Sequence, residues 1–346
     1  MMGIPILNIF YLLSYAWNKL EEAEKIRSGI SDYKRTEDLL ARLLINGCNL
    51  LLRRGLDREY IRRSEVYRGI KGKINFTESI NGDYFRRGVA VCEIDELSGD
   101  ILVNQILKST LLKLIKVQTL HHSLRNETRH LIPRFSDVQT VEITDSLFNK
   151  VRIHRNNSFY DLVLSICKII HSSVSVTEGN GEVLFRDFSR DPKAMAVLFE
   201  NFAFQFYRRE FPSTYVYRPQ IRWNATSLHD SDLSLLPVMQ TDICFETRER
   251  KIIIDAKYYS DTTVTRHESE RFRSTNLYQI FSYIKNLESS RSTPLNETAE
   301  GVLLYPQTGT EFNHSYMISG HKISIWTVDL SKEWWEIDER LKTLVQ

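Results

Sequence analysis

The chain has 346 residues, 42% hydrophobic and 26% charged, with 14 glycines and 8 prolines, a balance that excludes disorder, collagen-like repeats and a linker-rich architecture. Lys and Arg number 46 against 44 Asp and Glu, and the net charge of +2 gives no global field for nucleic acid or membrane, so any basic site must be local. The length suggests about two domains.

Cys48, Cys92, Cys167 and Cys244 lie far apart in apolar stretches, which points away from a disulfide framework or a CxxC metal site and towards a reducing compartment. The opening MMGIPILNIFYLLSYAWNKL is apolar but carries neither a basic leader nor a small-residue cleavage site, and it is too short to span a bilayer. A cytoplasmic protein with no membrane partner is expected. Phe10, Tyr11, Tyr15 and Trp17 read as one helix packed into its own domain.

In chain order, Thr36 is placed to cap a helix whose leucines 39, 40, 43, 44, 50 and 51 form one stripe, with Gly55 placed to end it. A second long helix starts near Asp100 and carries Ile101, Ile106, Leu107, Leu111, Leu114 and Ile115. Between them, Arg53 to Arg87 holds ten Lys or Arg against five Asp or Glu, with Gly69 and Gly72 marking turns. His121, His122 and His130 have no ligand spacing tied to carboxylates or cysteines, and no metal is expected there.

The second half reads helix, strands, helix, strand and closing helix. Asp191 and Pro192 open a helix through AMAVLFENFAFQFYRRE that stops before Pro212. TYVYRPQIRW, TDICFE and KIIIDAKYY are strands by composition, followed by a helix from about Glu270 to Leu287, strands at GVLLYPQ and ISIWTVDL, and a last helix at SKEWWEIDERLKTLV.

The informative stretch is TDICFETRERKIIIDAK, residues 241 to 257. Asp255 and Lys257 are two apart and share a strand face, while Ile252, Ile254 and Ala256 take the other, so one face is expected to be core and the other to carry chemistry. If Thr247 to Arg250 form a four-residue hairpin loop, Glu246 pairs with Lys251 and Asp242 falls opposite Asp255. Like charges placed there are destabilising without compensation. A divalent cation with hard oxygen ligands, Mg²⁺ above all, supplies it, and Lys257 adds a charge for a phosphate or an attacking water. An acid and a lysine two apart also form a common solvated surface pattern; the apolar run into the motif and the upstream Asp argue for the chemical reading. Glu200 interrupts the apolar helix VLFENFAFQF, facing either the site or the surface, and Gln279 and Tyr283 share a helical face at i, i+4.

A Glu-bearing helix, an Asp strand, a D-x-K strand and a Q-x-x-x-Y helix, in that order, resemble the PD-(D/E)XK nuclease superfamily in its RecB-like variant. Thr241 stands where many members have proline, and Asp242, Asp255, Lys257, Gln279 and Tyr283 match position by position. Along the whole chain NIFYLLSYAW, GIKGKINF, LLPVMQTDI, IIIDAKYY and NLYQIFSYI look like signatures of the McrC family of McrBC-type restriction systems. The resemblance implies an α+β, mostly helical amino-terminal domain with a β-hairpin finger over 1–155, which engages and stimulates a partner, and an α/β restriction-endonuclease-like domain over 156–346.

It implies Mg²⁺-dependent hydrolysis of DNA containing modified cytosine, with Mn²⁺ as the substitute metal. Asp242 and Asp255 would bind the metal, with Glu200 and the Ala256 carbonyl completing its shell. Lys257 would assist attack, and Gln279 and Tyr283 would orient phosphate or water. The partner implied is an McrB-like AAA+ GTPase hexamer that itself binds GTP, and the chain contains no G-x-x-x-x-G-K-[ST] phosphate loop. Arg62, Arg63, Arg68, Lys71 and Lys73 are the candidate partner-binding residues at the finger tip, where a plain soluble hairpin or a DNA-backbone contact is the alternative. Two other functions fit the same motifs: a non-catalytic activator of the AAA+ partner, and a stand-alone RecB-like exonuclease.

Overall fold

A computed structural model describes residues 3–153, 158–176, 183–228, 233–259, 263–266, 269–290 and 293–346. The chain forms two compact units, one of residues 1–25, 29–39 and 187–346 and one of residues 26–28 and 40–186. The boundary expected after residue 155 therefore falls at 186/187, and the amino-terminal segment belongs with the second half of the chain. Its helix α1 (Ile6–Ala16) is followed by α2 (Leu20–Glu24) and by α3 (Thr36–Arg54), which runs across the unit boundary. Thr36 is the first helical residue rather than the cap, and its hydroxyl donates to Asp187 Oδ1 at 2.8 Å. Gly55 ends the helix at φ +86°.

The unit of residues 40–186 holds β1 (Glu59–Arg68), β2 (Lys73–Ile74), α4 (Phe76–Asn81), β3 (Val89–Ser98), α5 (Leu102–Leu114), α6 (His122–Leu131), α7 (Asp145–Phe148), α8 (Ser158–Ser173), β4 (Val174–Val176) and β5 (Val183–Phe185). The expected finger hairpin is built differently. β1 and β2 do not pair with each other; both pair antiparallel with β3, in the order β1-β3-β2. VAVCEIDELS supplies that middle strand, and its β-branched residues are the signal that composition of the basic segment alone does not reveal. Gly69 and Gly72, at φ +90° and +74°, make the turn between β1 and β2.

The other unit continues with α9 (Pro192–Glu210), β6 (Tyr215–Tyr217), β7 (Gln220–Ile221), β8 (Met239–Gln240), β9 (Ile243–Glu246), β10 (Lys251–Ala256), β11 (Thr263–Arg266), β12 (Ser269–Phe272), α10 (Ser274–Ser290), β13 (Glu300–Pro306), β14 (Asn313–Ile318), β15 (His321–Val328) and α11 (Trp334–Val345). α9 starts as expected: Asp191 accepts from Lys193 N–H at 2.9 Å and Pro192 occupies the first turn. α10 begins at Ser274 rather than near Glu270, because residues 269–272 pair as β12 with β11.

Six strands form one mixed sheet in the order β14-β15-β13-β10-β9-β6. β10, β13 and β15 run parallel, and the remaining neighbours pair antiparallel. α10 packs its Ile280, Tyr283, Ile284 and Leu287 with Cys244, Ile253, Leu303 and Ile325 of the sheet, whereas Phe245 on the alternate face meets Tyr207 of α9 at 5.9 Å between ring centroids. β10 is buried along its whole length. The expected division into one core face and one chemical face is thus corrected: Ile253 shares Asp255's face and is fully buried beneath α10. Each of Ile252, Ile253 and Ile254 contributes about 1.5–3 kcal/mol by burial, which fixes the strand end where the charged residues stand.

α1 packs along α9. Phe10 and Tyr15 are buried, Tyr11 stacks on Trp334 at 4.5 Å, and Tyr15 meets Phe202 at 5.9 Å; Trp17 stays half-exposed. Phe10 and Tyr15 are core, as expected, but of the sheet unit and not of the amino-terminal domain, while Tyr11 and Trp17 are only partly buried.

Candidate active site

The loop length of the β9–β10 hairpin sets the site. Thr247 N–H donates to Arg250 O at 2.9 Å, closing the four-residue turn, and the ladder runs Lys251↔Glu246, Ile252↔Phe245, Ile253↔Cys244 and Ile254↔Ile243. Just beyond the last pair, where the spacing predicts it, Asp242 comes beside Asp255. Asp242 Oδ2 accepts the Ala256 N–H at 2.9 Å. Lys257 Nζ lies 3.0 Å from Asp255 Oδ1 and 2.9 Å from Oδ2. The three side chains converge at the carboxyl end of β10, beside the parallel strand β13, where open α/β sheets place their ligands.

Burial controls the electrostatics. Asp255 is 1% exposed. Burial raises its carboxyl pKa above the ordinary aspartate value; the Lys257 ammonium opposes the rise and the Asp242 charge adds to it. Asp242 is also raised by burial, against the pull of Lys257, the Ala256 N–H and Arg218. For Lys257 burial acts downward, but the carboxylates of Asp255 and Asp242 outweigh it and hold the ammonium above the ordinary lysine value. The pair of acids is therefore protonation-prone until a further positive charge arrives.

Glu200, on α9, is turned to Arg218, with Oε1 3.2 Å from Nη2. Burial and the Asp242 charge raise its pKa, while Arg218 and Lys257 lower it. Glu200 thus feels the site without being gathered into it: among the described residues no three His, Cys, Asp or Glu side chains form a metal-binding group. On α10, Gln279 Nε2 donates to the Tyr283 hydroxyl at 2.7 Å, and that hydroxyl donates to the Gln240 carbonyl at 3.0 Å. Both residues reach the site region, and they brace the strand leading into Asp242. Thr241 donates from its N–H and its hydroxyl to Pro219 O at 3.3 Å.

Two further residues join the site without having been singled out in the sequence. Arg218 donates from Nε to the Asp242 carbonyl at 3.0 Å; the basic composition of YRPQIR was its only signal. Tyr305, whose pKa burial pushes up to about 12, accepts from Asn276 Nδ2 at 2.9 Å and lies within electrostatic reach of Asp255.

The basic residues of β1 and the following turn are exposed. Arg62 Nε lies 3.5 Å from Asp95 Oδ1, Arg63 Nε lies 3.4 Å from Glu96 Oε2, and Lys71 Nζ sits 5.1 Å from the Tyr67 ring centroid. The acidic residues of β3 thus balance much of what reads as a basic stripe, leaving Arg68 and Lys73 exposed at the turn.

The fold and site define an α/β protein that gathers two carboxylates and an ammonium at the end of its central strands. A family described as McrBC 5-methylcytosine restriction system component matches residues 8–306. The chain belongs to this family. It is 36% identical over 331 residues to the type IV methyl-directed restriction enzyme EcoKMcrBC of Escherichia coli (strain K12), covering 96% of this chain and 94% of that one. Its fold matches a chain in the refined half-complex from the tetradecameric assembly of Thermococcus gammatolerans McrB AAA+ hexamers with bound McrC, with a TM-score of 0.60 at 18% identity, over 98% of this chain and 75% of that chain.

Proposed function

We propose that this chain is the nuclease subunit of a GTP-dependent restriction complex, of PD-(D/E)XK type, hydrolysing phosphodiester bonds in DNA with modified cytosine when joined to an McrB-like AAA+ GTPase ring. The observation that carries the reading is the apposition of Asp242 and Asp255 with Lys257 at one strand end. The relative's description as a methyl-directed restriction enzyme supports the substrate, and the McrB hexamers in the matched complex support the partner. GTP belongs to that partner.

The residues fit a divalent cation. Asp255 Oδ2 is buried and accepts no hydrogen bond, although Lys257 Nζ lies 2.9 Å away, and two carboxylates with the Ala256 carbonyl suit Mg²⁺ or Mn²⁺, ions that keep several waters. Asp242, Asp255 and Ala256 would hold the ion, while Glu200, engaged by Arg218, stands beside that set. When bound, it supplies charge stabilisation at the phosphoryl oxygen and a more acidic water. Lys257 brings its ammonium to the crowded anionic phosphate and helps place the attacking water. Gln279 and Tyr283, bonded to each other and to the Gln240 carbonyl, keep the Asp242 strand in line and would orient phosphate or water. Arg62, Arg63, Arg68, Lys71 and Lys73 of the β1–β2 region contact the ring and stimulate its GTPase.

The test is reconstitution with an McrB-like AAA+ partner on methylated and unmethylated DNA. The expected outcome is Mg²⁺- and GTP-dependent cleavage of methylated DNA alone, abolished by Asp255→Asn with GTPase stimulation intact. GTP turnover without any DNA product would make the chain a pure activator, and nucleotide-independent digestion of free ends would make it an exonuclease.

A further inference from the structure

Arg218, on the connection between β6 and β7, directs its guanidinium to the main chain of Asp242 and to α9 at once. Its Nε donates to the main-chain oxygen of Asp242 at 3.0 Å, and its Nη2 donates to Asn201 Oδ1 at 3.1 Å and lies 3.2 Å from Glu200 Oε1. Its guanidinium carbon stands 4.4 Å from the Phe204 ring centroid. One planar fork therefore ties the main chain of Asp242 to Glu200, Asn201 and Phe204 of α9. The backbone beneath it is held as well: Arg218 O accepts from Gln240 Nε2 at 3.2 Å, and Pro219 O accepts from Thr241 N–H at 3.3 Å.

We infer that Arg218 is a positioning residue, whose fork fixes the peptide of Asp242 against α9 and thereby aims the Asp242 carboxylate at the site shared with Asp255. The inference rests on the proposed nuclease reading. Two physical features support a geometric role over a merely coulombic one. The donors used, Nε and Nη2, are held at fixed spacing in one rigid guanidinium, an arrangement that a lysine ammonium on a flexible stem does not reproduce. Asp242 Oδ2 is also held by the Ala256 N–H at 2.9 Å, so a shift of the Asp242 main chain is felt at its carboxylate.

Arg218→Lys separates geometry from charge, because it keeps the cation and loses the fork. In the complex with the AAA+ partner, kcat for cleavage is expected to fall about 10–100-fold, the usual cost of removing a group that orients a metal ligand, while KM for DNA and stimulation of GTP hydrolysis stay near wild type. A second readout needs no turnover: Mg²⁺ is titrated against the melting temperature of the full chain, and the half-saturating concentration is expected to rise about tenfold in Arg218→Lys, with no Mg²⁺ response in Asp255→Asn. A wild-type kcat and an unchanged Mg²⁺ midpoint in Arg218→Lys would overturn the inference. Should that variant melt early, Asn201→Ala, which removes one acceptor of the fork, decides: a lowered kcat at unchanged KM supports it, and an unchanged kcat overturns it. Cleavage by Asp255→Asn at the wild-type rate would instead bring down the nuclease reading itself.

Discussion

Two antiparallel strand pairs in this molecule place charges directly across from one another, with opposite consequences. On β1 and β3, Arg62 faces Asp95, and both side chains are more than 60% exposed, so water screens the pair. At the end of β9 and β10 the hairpin brings two aspartates together, with Asp255 1% exposed and paired with Lys257. An exposed cross-strand pair contributes about 0–1 kcal/mol; a buried like-charged pair is costly and persists only where something else neutralises it. Cross-strand geometry is common to both, and burial converts one of them into a site.

Variants of the buried pair should break the comparison most strongly. Asp255→Ala removes a proposed ligand oxygen and is expected to lower cleavage by ~10³-fold or more, since several kcal/mol of charge stabilisation would be lost at about 1.4 kcal/mol per decade; a gel assay of methylated plasmid checks it. Lys257→Met leaves two buried acids unpaired. It should cost about 3–5 kcal/mol of stability above neutral pH, as for any broken buried pair, measured by denaturant unfolding, and should slow cleavage ~10²–10⁴-fold.

The raised carboxyl pKa values sharpen the contrast by their sign. The folded state holds the protons of Asp242 and Asp255 more tightly than the unfolded state. Without metal, their contribution is fully present below the ordinary aspartate value of 3.8 and is lost as pH rises through the raised folded values. The melting temperature of wild type should therefore fall over that window relative to Asp242→Asn/Asp255→Asn, and Mg²⁺ should reverse the fall at the upper end.

Packing behind the site gives a smaller effect. A Cβ on Gly301 would stand 2.6 Å from Ile284 Cδ1 and 2.8 Å from Ile280 Cγ1 of α10. Gly301→Ala is expected to cost about 1–3 kcal/mol and, by lifting the helix that bears Gln279 and Tyr283, to reduce cleavage; thermal melting with an activity assay checks both. The smallest effect belongs to the exposed ribbon: Arg62→Ala should change stability by about 1 kcal/mol or less, so a defect in GTPase stimulation by that variant would report a partner contact rather than unfolding.

Much of this arrangement was legible in the sequence. The four-residue turn set the β9–β10 register, Asp191 and Pro192 marked the start of α9, and Gly55 marked the end of α3, because turns and caps depend on neighbouring residues. Motif spacing likewise placed Gln279 and Tyr283 on one face of α10. The β3 strand was hidden behind the charged alternation of its second half, and β14, an exposed edge strand, carries little apolar pattern to betray it.

What the sequence by itself determined, then, is local: which segments become helix or strand, and which carboxylates a hairpin of given length must bring face to face. Tertiary structure alone decided that α1 joins the sheet unit through Tyr11, Tyr15 and Trp334, that β10 is buried on both faces, and that Arg218 reaches the Asp242 carbonyl. Each of these depends on contacts between residues far apart along the chain, whose pairing follows from how apolar surfaces are covered and not from spacing. The same holds for the chemistry, since burial rather than residue type sets the protonation of the two aspartates.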